Sequence, residues 1–290
     1  MPYNSVFRPD LFAGQTIMVT GGGSGIGRCL AHELVSLGAN VVILGRNAEK
    51  LATVANEIRE DGGDAAIQVC DIRNELSVIA AIDYVLQKFG RIDGLVNNAG
   101  GQYRTPMSTI STKGFEAVVR NNLTGGFIFM REMFNRWMAD NGGAIVNMIA
   151  DIWNGWPDFA HSGAARGGMW SLTESAACEW AANGVRVNAV APGGIATSGF
   201  DTYAPEIQYK LFEYTKRVPA QRFGTEAEVS AAIVYLLSPA AAFITGSCIR
   251  VDGGAPNARQ TWTLEESDKN KPFEGFHRAV LPKVLGGSAG

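Results

Sequence analysis

Five glycines fall within the eight residues Thr20-Gly21-Gly22-Gly23-Ser24-Gly25-Ile26-Gly27, directly after the apolar run Ile17-Met18-Val19. A helical pattern follows from about Arg28. This stretch constrains the fold more than any other. A strand, a glycine turn and a helix N-terminus together make an anion site. Glycine allows the tight turn and a close approach of backbone to ligand, and the free N–H groups of the first helical turn face phosphate. The spacing, Gly21-xxx-Gly25-x-Gly27, departs from the plain GxGxxG fingerprint. Its place between strand and helix near the N-terminus still points to a nucleotide.

The rest of the chain continues the alternation. Apolar runs at Thr16–Thr20, Asn40–Leu44, Ala65–Cys70, Ile92–Val96, Ala144–Ile149, Arg186–Val190 and Ser247–Val251 predict seven strands. Continuous apolar runs of this kind suit parallel strands covered on both faces. Helical spacing appears in Leu30, Leu34 and Leu37; in Leu51, Val54, Ala55 and Ile58; and in Val78, Ile82, Val85 and Phe89. Asn47 is placed to cap the second helix, and Thr225-Glu226-Ala227-Glu228 is a capping box for the last. A long helical stretch is expected from Ser111 to about Asp140, and another from about Ser162 to Ala182. The prediction is an α/β fold, a Rossmann-type doubly wound, seven-stranded parallel sheet in a single domain. Residues 1–14 read as an N-terminal arm, 15–254 as the domain with its substrate site, and 255–290 as a polar C-terminal extension placed to cross onto a partner subunit.

Bulk properties exclude several function classes. A formal charge of −3 with scattered basic residues implies neither nucleic-acid nor membrane binding. No apolar run is long enough to cross a bilayer. Met1-Pro2-Tyr3-Asn4-Ser5 has no signal pattern and Gly287-Ser288-Ala289-Gly290 is not a peroxisomal address, so a cytoplasmic protein is expected. Cys29, Cys70, Cys178 and Cys248 lie far apart and are expected to be buried reduced thiols. His32, His161 and His277 show no ligand spacing, so no metal is expected.

The glycine loop, Asp71, Asn97-Asn98-Ala99-Gly100, Asn122, Pro192-Gly193 and Asp252-Gly253-Gly254 stand in an order that resembles the short-chain dehydrogenase/reductase family over roughly residues 12–254. The resemblance implies an NAD(P)-binding Rossmann domain, a substrate site at the strand C-termini, and a homo-oligomer, a dimer or more often a tetramer. It implies cofactor contacts from Gly21, Gly23, Ser24, Gly25, Ile26 and Gly27. Asp71 and Ile72 are expected at the adenine, Asn98, Ala99 and Gly100 along the crevice, and Pro192, Gly193, Ile195 and Thr197 toward the nicotinamide. An acidic residue at the end of strand two would favour NAD, but the chain has Arg46 there. A guanidinium suits a 2′-phosphate, so NADP(H) is the expected cofactor.

The catalytic places depart from the usual family pattern. The serine place after strand five falls on Ile149 or Ala150. The tyrosine place holds Ser162, and the lysine place holds Arg166. A serine hydroxyl does not titrate near neutral pH but still donates a hydrogen bond. Alcohol–ketone interconversion therefore lacks its usual acid/base residue. The segments 161–166 and 237–246 resemble the branch containing peroxisomal trans-2-enoyl-CoA and 2,4-dienoyl-CoA reductases. That branch implies NADPH-dependent reduction of a carbon–carbon double bond in an acyl-CoA-type substrate, within fatty acid metabolism. Charge then develops on the thioester oxygen, and Ser162 and Asn122 are the expected hydrogen-bond donors to it. Arg166 is expected at the nicotinamide ribose. Trp170 stands where relatives place a proton donor and cannot serve. A water, Asp151, His161 and Tyr103 remain as sources. Trp153, Trp156, Phe159, Phe200, Tyr203 and Phe212 form a candidate acyl lining, and Lys210, Lys216 and Arg217 candidate contacts for CoA phosphates. Two alternatives stay open: a dehydrogenase or ketoreductase of a large apolar hydroxy or keto substrate, and a catalytically silent NADP-binding scaffold or sensor.

Overall fold

Seven parallel strands form one sheet in the order β3-β2-β1-β4-β5-β6-β7. The computed structural model describes residues 3–202, 211, 213–258, 263–264, 267 and 269–286. The strands are β1 (Thr16–Thr20), β2 (Asn40–Gly45), β3 (Ala65–Val69), β4 (Gly94–Asn97), β5 (Gly143–Met148), β6 (Val185–Pro192) and β7 (Cys248–Val251). The helices are α1 (Gly25–Ser36), α2 (Ala48–Glu60), α3 (Glu75–Phe89), α4 (Thr112–Val119), α5 (Gly125–Met133), α6 (Ala139–Asn141), α7 (Ala160–Trp180) and α8 (Glu226–Leu237). The strand order reverses between β1 and β4, and there the carboxyl ends of the strands open a crevice.

Alternation along the strands builds two cores. Ile17, Val19, Val41 and Ile43 face one way and pack with Leu30, Leu34, Leu51, Ile58 and Ile233 of α1, α2 and α8. Met18, Val42 and Leu44 face the other way, against Ile82, Val85, Phe129, Met133 and Met169 of α3, α5 and α7. The sheet is buried on both faces, which explains its near-continuous apolar strands.

Side-chain caps close the starts of α2, α3, α4 and α8, those at Asn47 and Thr225 as expected. Asn47 Oδ1 accepts from Lys50 N at 2.9 Å, Asn74 caps α3, Ser111 caps α4, and Thr225 with Glu228 closes both halves of the capping box. Three expectations are revised. Helix α1 begins at Gly25 rather than near Arg28, because glycines rank low as helix formers yet serve in a first turn, where Arg28 N reaches Ser24 O at 3.2 Å. Helix α7 begins at Ala160, two residues before the expected start. The stretch from Ser111 is not one regular helix: π-turns at Arg120–Thr124 and Phe134–Met138 interrupt it. Single π-turns inside helices recur at functional sites.

Cys29 and Cys70 are buried free thiols, but Cys178 is exposed and Cys248 half-buried, so burial of all four does not hold. No helix among the described residues is long and apolar enough to cross a membrane. Part of the C-terminal segment lies back on its own chain. Asn4 N donates to Gly275 O at 2.9 Å, and Phe276 is buried beside Tyr3, Cys29 and Ala227.

Candidate active site

A cavity of about 380 Å³ lies at the carboxyl ends of β1, β2 and β4. Gly21, Gly23, Ser24, Gly25 and Ile26 form its floor, Arg46, Asp71 and Ile72 one wall, and Asn98, Ala99, Gly100 and Thr197 the other. Gly27 lies behind the floor, where the chain passes so close that a Cβ would come within 2.6 Å of Asn98 Nδ2. Gly21 takes a positive φ of 68°, which turns the strand into the loop. The loop is tied down from β4. Thr20 Oγ1 accepts from Asn98 N at 3.0 Å and Ala99 N at 2.9 Å, while Asn98 Nδ2 donates to Thr20 O at 2.9 Å. Helix α1 has no side-chain cap at Ser24, unlike α2, α3, α4 and α8, so its first-turn N–H groups are left facing the cavity.

Two cations stand at the β2 end. Arg46 lines the cavity with an exposed side chain, and Lys50, which sequence reasoning passed over, joins it. The cap at Asn47 sets Lys50 on the first turn of α2, a signal available in the sequence. Asp71 is held by Arg73 through Nε at 2.9 Å and Nη2 at 2.7 Å, and that guanidinium holds its carboxyl down at about 2. Leu44, Gly45, Asn47, Leu51, Cys70 and Asn121 complete the lining, and none of them was expected at the cofactor.

The second half of the site lies past Gly100. Here glycine is required by space: a Cβ would collide with Arg166 Nη2 and come within 2.6 Å of Asn122 Oδ1. Arg166, nearly fully buried, donates from Nη1 to Met148 O at 2.6 Å, and burial pulls its guanidinium down to about 10. It therefore stays charged at neutral pH. Asn122 sits in the first π-turn. Its Nδ2 donates to Gly101 O at 2.6 Å and Val118 O at 3.0 Å, and its Oδ1 accepts from Gly101 N at 3.1 Å. Both amide hydrogens are spent on backbone, so in this arrangement Asn122 shapes the loop instead of offering the expected donor.

Ser162 is fully buried, and its Oγ has no hydrogen-bond partner. An unpaired buried hydroxyl costs free energy of order 1–3 kcal/mol, so such a group asks for a ligand. His161 is also fully buried. Its Nδ1 accepts from Ser162 N at 2.9 Å, which puts the proton of a neutral ring on Nε2, and Nε2 too has no partner. Tyr103 meets the His161 ring edge-on at 4.5 Å between centroids. Asp151 is half-buried at the end of β5. Burial, then the nearby Asp252 carboxylate, raises its carboxyl above the usual range. No hydrogen bond or ion pair among the described residues joins Asp151 to Ser162 or Arg166.

Other expected residues are placed differently. Thr197 reaches the cavity, whereas Ile195 is buried and bridges to Gly224. Pro192 ends β6 and Gly193 follows it, and Gly193 N donates to Val251 O at 3.0 Å, away from the cavity lining. Trp156 packs on Phe159 at 5.1 Å, Trp153 lies exposed under Arg250, and Phe200 meets Phe223 at 5.2 Å. Lys216 pairs with Glu213 at 2.8 Å, which favours a solvated helix face over a CoA contact. Tyr203, Lys210 and Phe212 lie outside the described residues.

Glu226 is buried at the start of α8, within reach of the Gly25 turn. Burial, only partly offset by Arg28, raises its carboxyl to about 7. The folded protein thus holds this proton where the unfolded chain, with an ordinary carboxylate, has released it. Stability from this group is full below the unfolded value and is lost as pH rises to about 7. Glu226→Gln is expected to raise Tm by a few degrees at pH 8 and little at pH 4.5. Thermal melts at the two pH values check this, and an equal shift at both would refute it.

Comparison with known proteins places this geometry among relatives. A family model described as enoyl-(acyl carrier protein) reductase matches residues 21–256. The peroxisomal 2,4-dienoyl-CoA reductase of Danio rerio is 35% identical over 256 residues, covering 87% of this chain and 85% of its own. Gluconate 5-dehydrogenase of Gluconobacter oxydans is also 35% identical, over 251 residues, covering 85% and 97%. Among solved structures, the citronellol catabolism dehydrogenase AtuB of Pseudomonas aeruginosa PAO1 is 56% identical, with a TM-score of 0.79, covering 87% of this chain and 99% of that one.

Proposed function

The chain belongs to the short-chain dehydrogenase/reductase family, and on that premise we propose that it is an NADPH-dependent reductase of a carbon–carbon double bond conjugated with a thioester, of the enoyl-CoA or 2,4-dienoyl-CoA class. The observation that carries this reading is the pair Ser162 and Arg166. The first is a buried hydroxyl without a partner, and the second is a buried cation one helical turn on.

The cavity fits a dinucleotide. Its floor is a glycine turn ending in uncapped first-turn amides, and its β2 end carries Arg46 and Lys50. When bound there, NADPH supplies the hydride. Ser162 donates its hydroxyl hydrogen to the thioester oxygen, where negative charge develops as an enolate. A donor already held in a water-free place is worth more than the same donor in water. Arg166 adds a fixed positive charge and orients the ribose side of the crevice, while Asn122 keeps the Gly100-Gly101 turn in shape. Asp151, with its proton held more tightly than usual, delivers a proton through water to the carbon next to the thioester.

A second reading has a specific observation in its favour. The 56% identical AtuB is named for citronellol catabolism as a dehydrogenase, so a branched apolar hydroxy or keto compound is the competing substrate class. One experiment separates the two. Purified protein is mixed with NADPH and trans-2-decenoyl-CoA or 2,4-decadienoyl-CoA, and in parallel with NADP⁺ or NAD⁺ and citronellol. No oxidation of NADPH by enoyl- or dienoyl-CoA of any chain length sinks the first reading, and turnover of the alcohol promotes the second.

The cofactor choice is tested separately. Arg46→Ala is expected to weaken NADPH binding about tenfold while NADH binding stays level, since a lost guanidinium–phosphate contact acts on the 2′-phosphate alone. Fluorescence titration with both nucleotides measures the ratio, and an unchanged ratio refutes the role.

A further inference from the structure

His32, Asp61 and His277, remote in sequence, meet where the C-terminal segment lies on α1 and α2. Their nearest ligand atoms all fall within 4.8 Å of one another. His32 is almost fully buried on α1, at 2% side-chain exposure, while Asp61 caps α2 at 12% and His277 of the C-terminal segment shows 16%. Asp61 Oδ2 lies 3.1 Å from His32 Nδ1 and 2.8 Å from His277 Nε2.

Neither approach is a hydrogen bond in good order. His32 Nε2 is 3.4 Å from Glu57 Oε2. A carboxylate only accepts, and the neutral tautomer that donates from Nε2 to Glu57 leaves Nδ1 with a lone pair. That lone pair faces the Asp61 oxygen, another electron-rich atom. His277 Nε2, buried and 2.8 Å from the same oxygen, lies out of line for an N–H···O hydrogen bond there. Two imidazole nitrogens thus converge on one carboxylate oxygen with nothing between them to bind. A carboxylate behind the first histidine is also the arrangement that orients metal-bound imidazoles.

The surroundings favour a cation. Arg28 holds Glu57 through Nε at 2.7 Å, and Arg278 holds Asp61 Oδ1 through Nη2 at 2.9 Å and Glu60 at 3.0 Å. Two guanidiniums face three carboxylates, leaving a negative excess. The Arg278 Nε bond to Asp61 Oδ2, at 3.0 Å, is the one contact an ion would have to share or displace. Bonds of about 2.0–2.2 Å to nitrogen and oxygen in tetrahedral geometry need ligand separations somewhat wider than the two shortest seen here. A shift of about half an ångström in the His277 segment widens its separation from Asp61 to that range.

We propose that His32 Nδ1, His277 Nε2 and Asp61 Oδ2 bind a divalent cation of the zinc class, which clamps the C-terminal segment onto α1 and α2. Two imidazoles and one carboxylate select a borderline ion such as Zn²⁺ or Co²⁺ over Mg²⁺ or Ca²⁺. Water completes the shell, and the ion is structural, since none of its three ligands lines the cofactor cavity.

The full chain, stripped with chelator, is titrated with Zn²⁺ alone and with Co²⁺ alone. One equivalent is expected to bind, with visible Co²⁺ bands of a low-coordinate nitrogen and oxygen site. At a hundredfold excess over Kd, Tm is expected to rise by about 5 °C. His277→Gln, on the least buried ligand, is expected to weaken binding about tenfold or more and to leave NADPH binding unchanged. Cys178→Ser, which removes the exposed thiol, is expected to bind as the wild type does. Absence of a saturable equivalent overturns the proposal, as does equal affinity in His277→Gln or loss of binding in Cys178→Ser. If His277→Gln does not fold, the Co²⁺ spectrum of the wild type decides alone: octahedral, weak bands reject the site.

Discussion

Ser162→Ala lowers kcat for enoyl-CoA reduction about a hundredfold while leaving NADPH affinity level. The expectation follows from the environment of Oγ. The hydroxyl is fully buried and bonded to nothing in the protein, so its removal breaks no structural contact. On the proposed mechanism what is lost is one donor to a developing oxyanion, and losses of this kind cost about 10²–10³ in kcat. Stability should stay level or rise slightly, because an unsatisfied buried polar group disappears. Steady-state kinetics, NADPH fluorescence titration and a thermal melt read the three quantities together. Wild-type turnover in the variant removes Ser162 from the mechanism. A large fall in Tm instead assigns it a structural role.

Gly27→Ala is expected to damage the cofactor site from behind. A Cβ there would collide with Gly21 O and come within 2.6 Å of Asn98 Nδ2. Neither neighbour can yield cheaply. Gly21 O belongs to backbone in the turn, and Asn98 Nδ2 is committed to Thr20 O at 2.9 Å and Gly21 O at 3.3 Å. Overpacking of this sort costs about 1–3 kcal/mol, a fall of several degrees in Tm for a domain of this size. The loop must move outward, carrying the first-turn amides off their positions, so NADPH affinity should fall about tenfold or more. A folded variant with wild-type NADPH affinity would show that the loop does not hold the nucleotide.

The two substitutions probe parts of the site that were unequally legible in the sequence. The floor was plain. Glycines at 21, 25 and 27 between an apolar run and a helical pattern have few physical uses, and the cavity opens over Gly21 and Gly25 with Gly27 packed behind them. Arg46 was readable because it directly follows β2, but Lys50 was missed although its position follows from the Asn47 cap. The chemical half was harder. Ser162 and Arg166 were found by their places on α7, yet only coordinates show that Ser162 Oγ has no partner and that both hydrogens of Asn122 Nδ2 are taken. A π-turn inserts one residue into a helix without changing its apolar period enough to be noticed, so the turn that sets Asn122 was invisible in the sequence.

By itself the sequence determined the sheet, its parallel sense and the anion-binding turn, while the absence of the usual tyrosine–lysine pair was read from the family resemblance. The first three follow from local period, capping and residue type, which act over a few residues. The tertiary structure alone decided which polar atoms are left without partners, how Arg166 and Asn122 close on Gly100, and that His32, Asp61 and His277 share one pocket. Each depends on segments far apart in the chain being pressed together by apolar burial, and no local pattern encodes which polar groups that packing leaves facing one another.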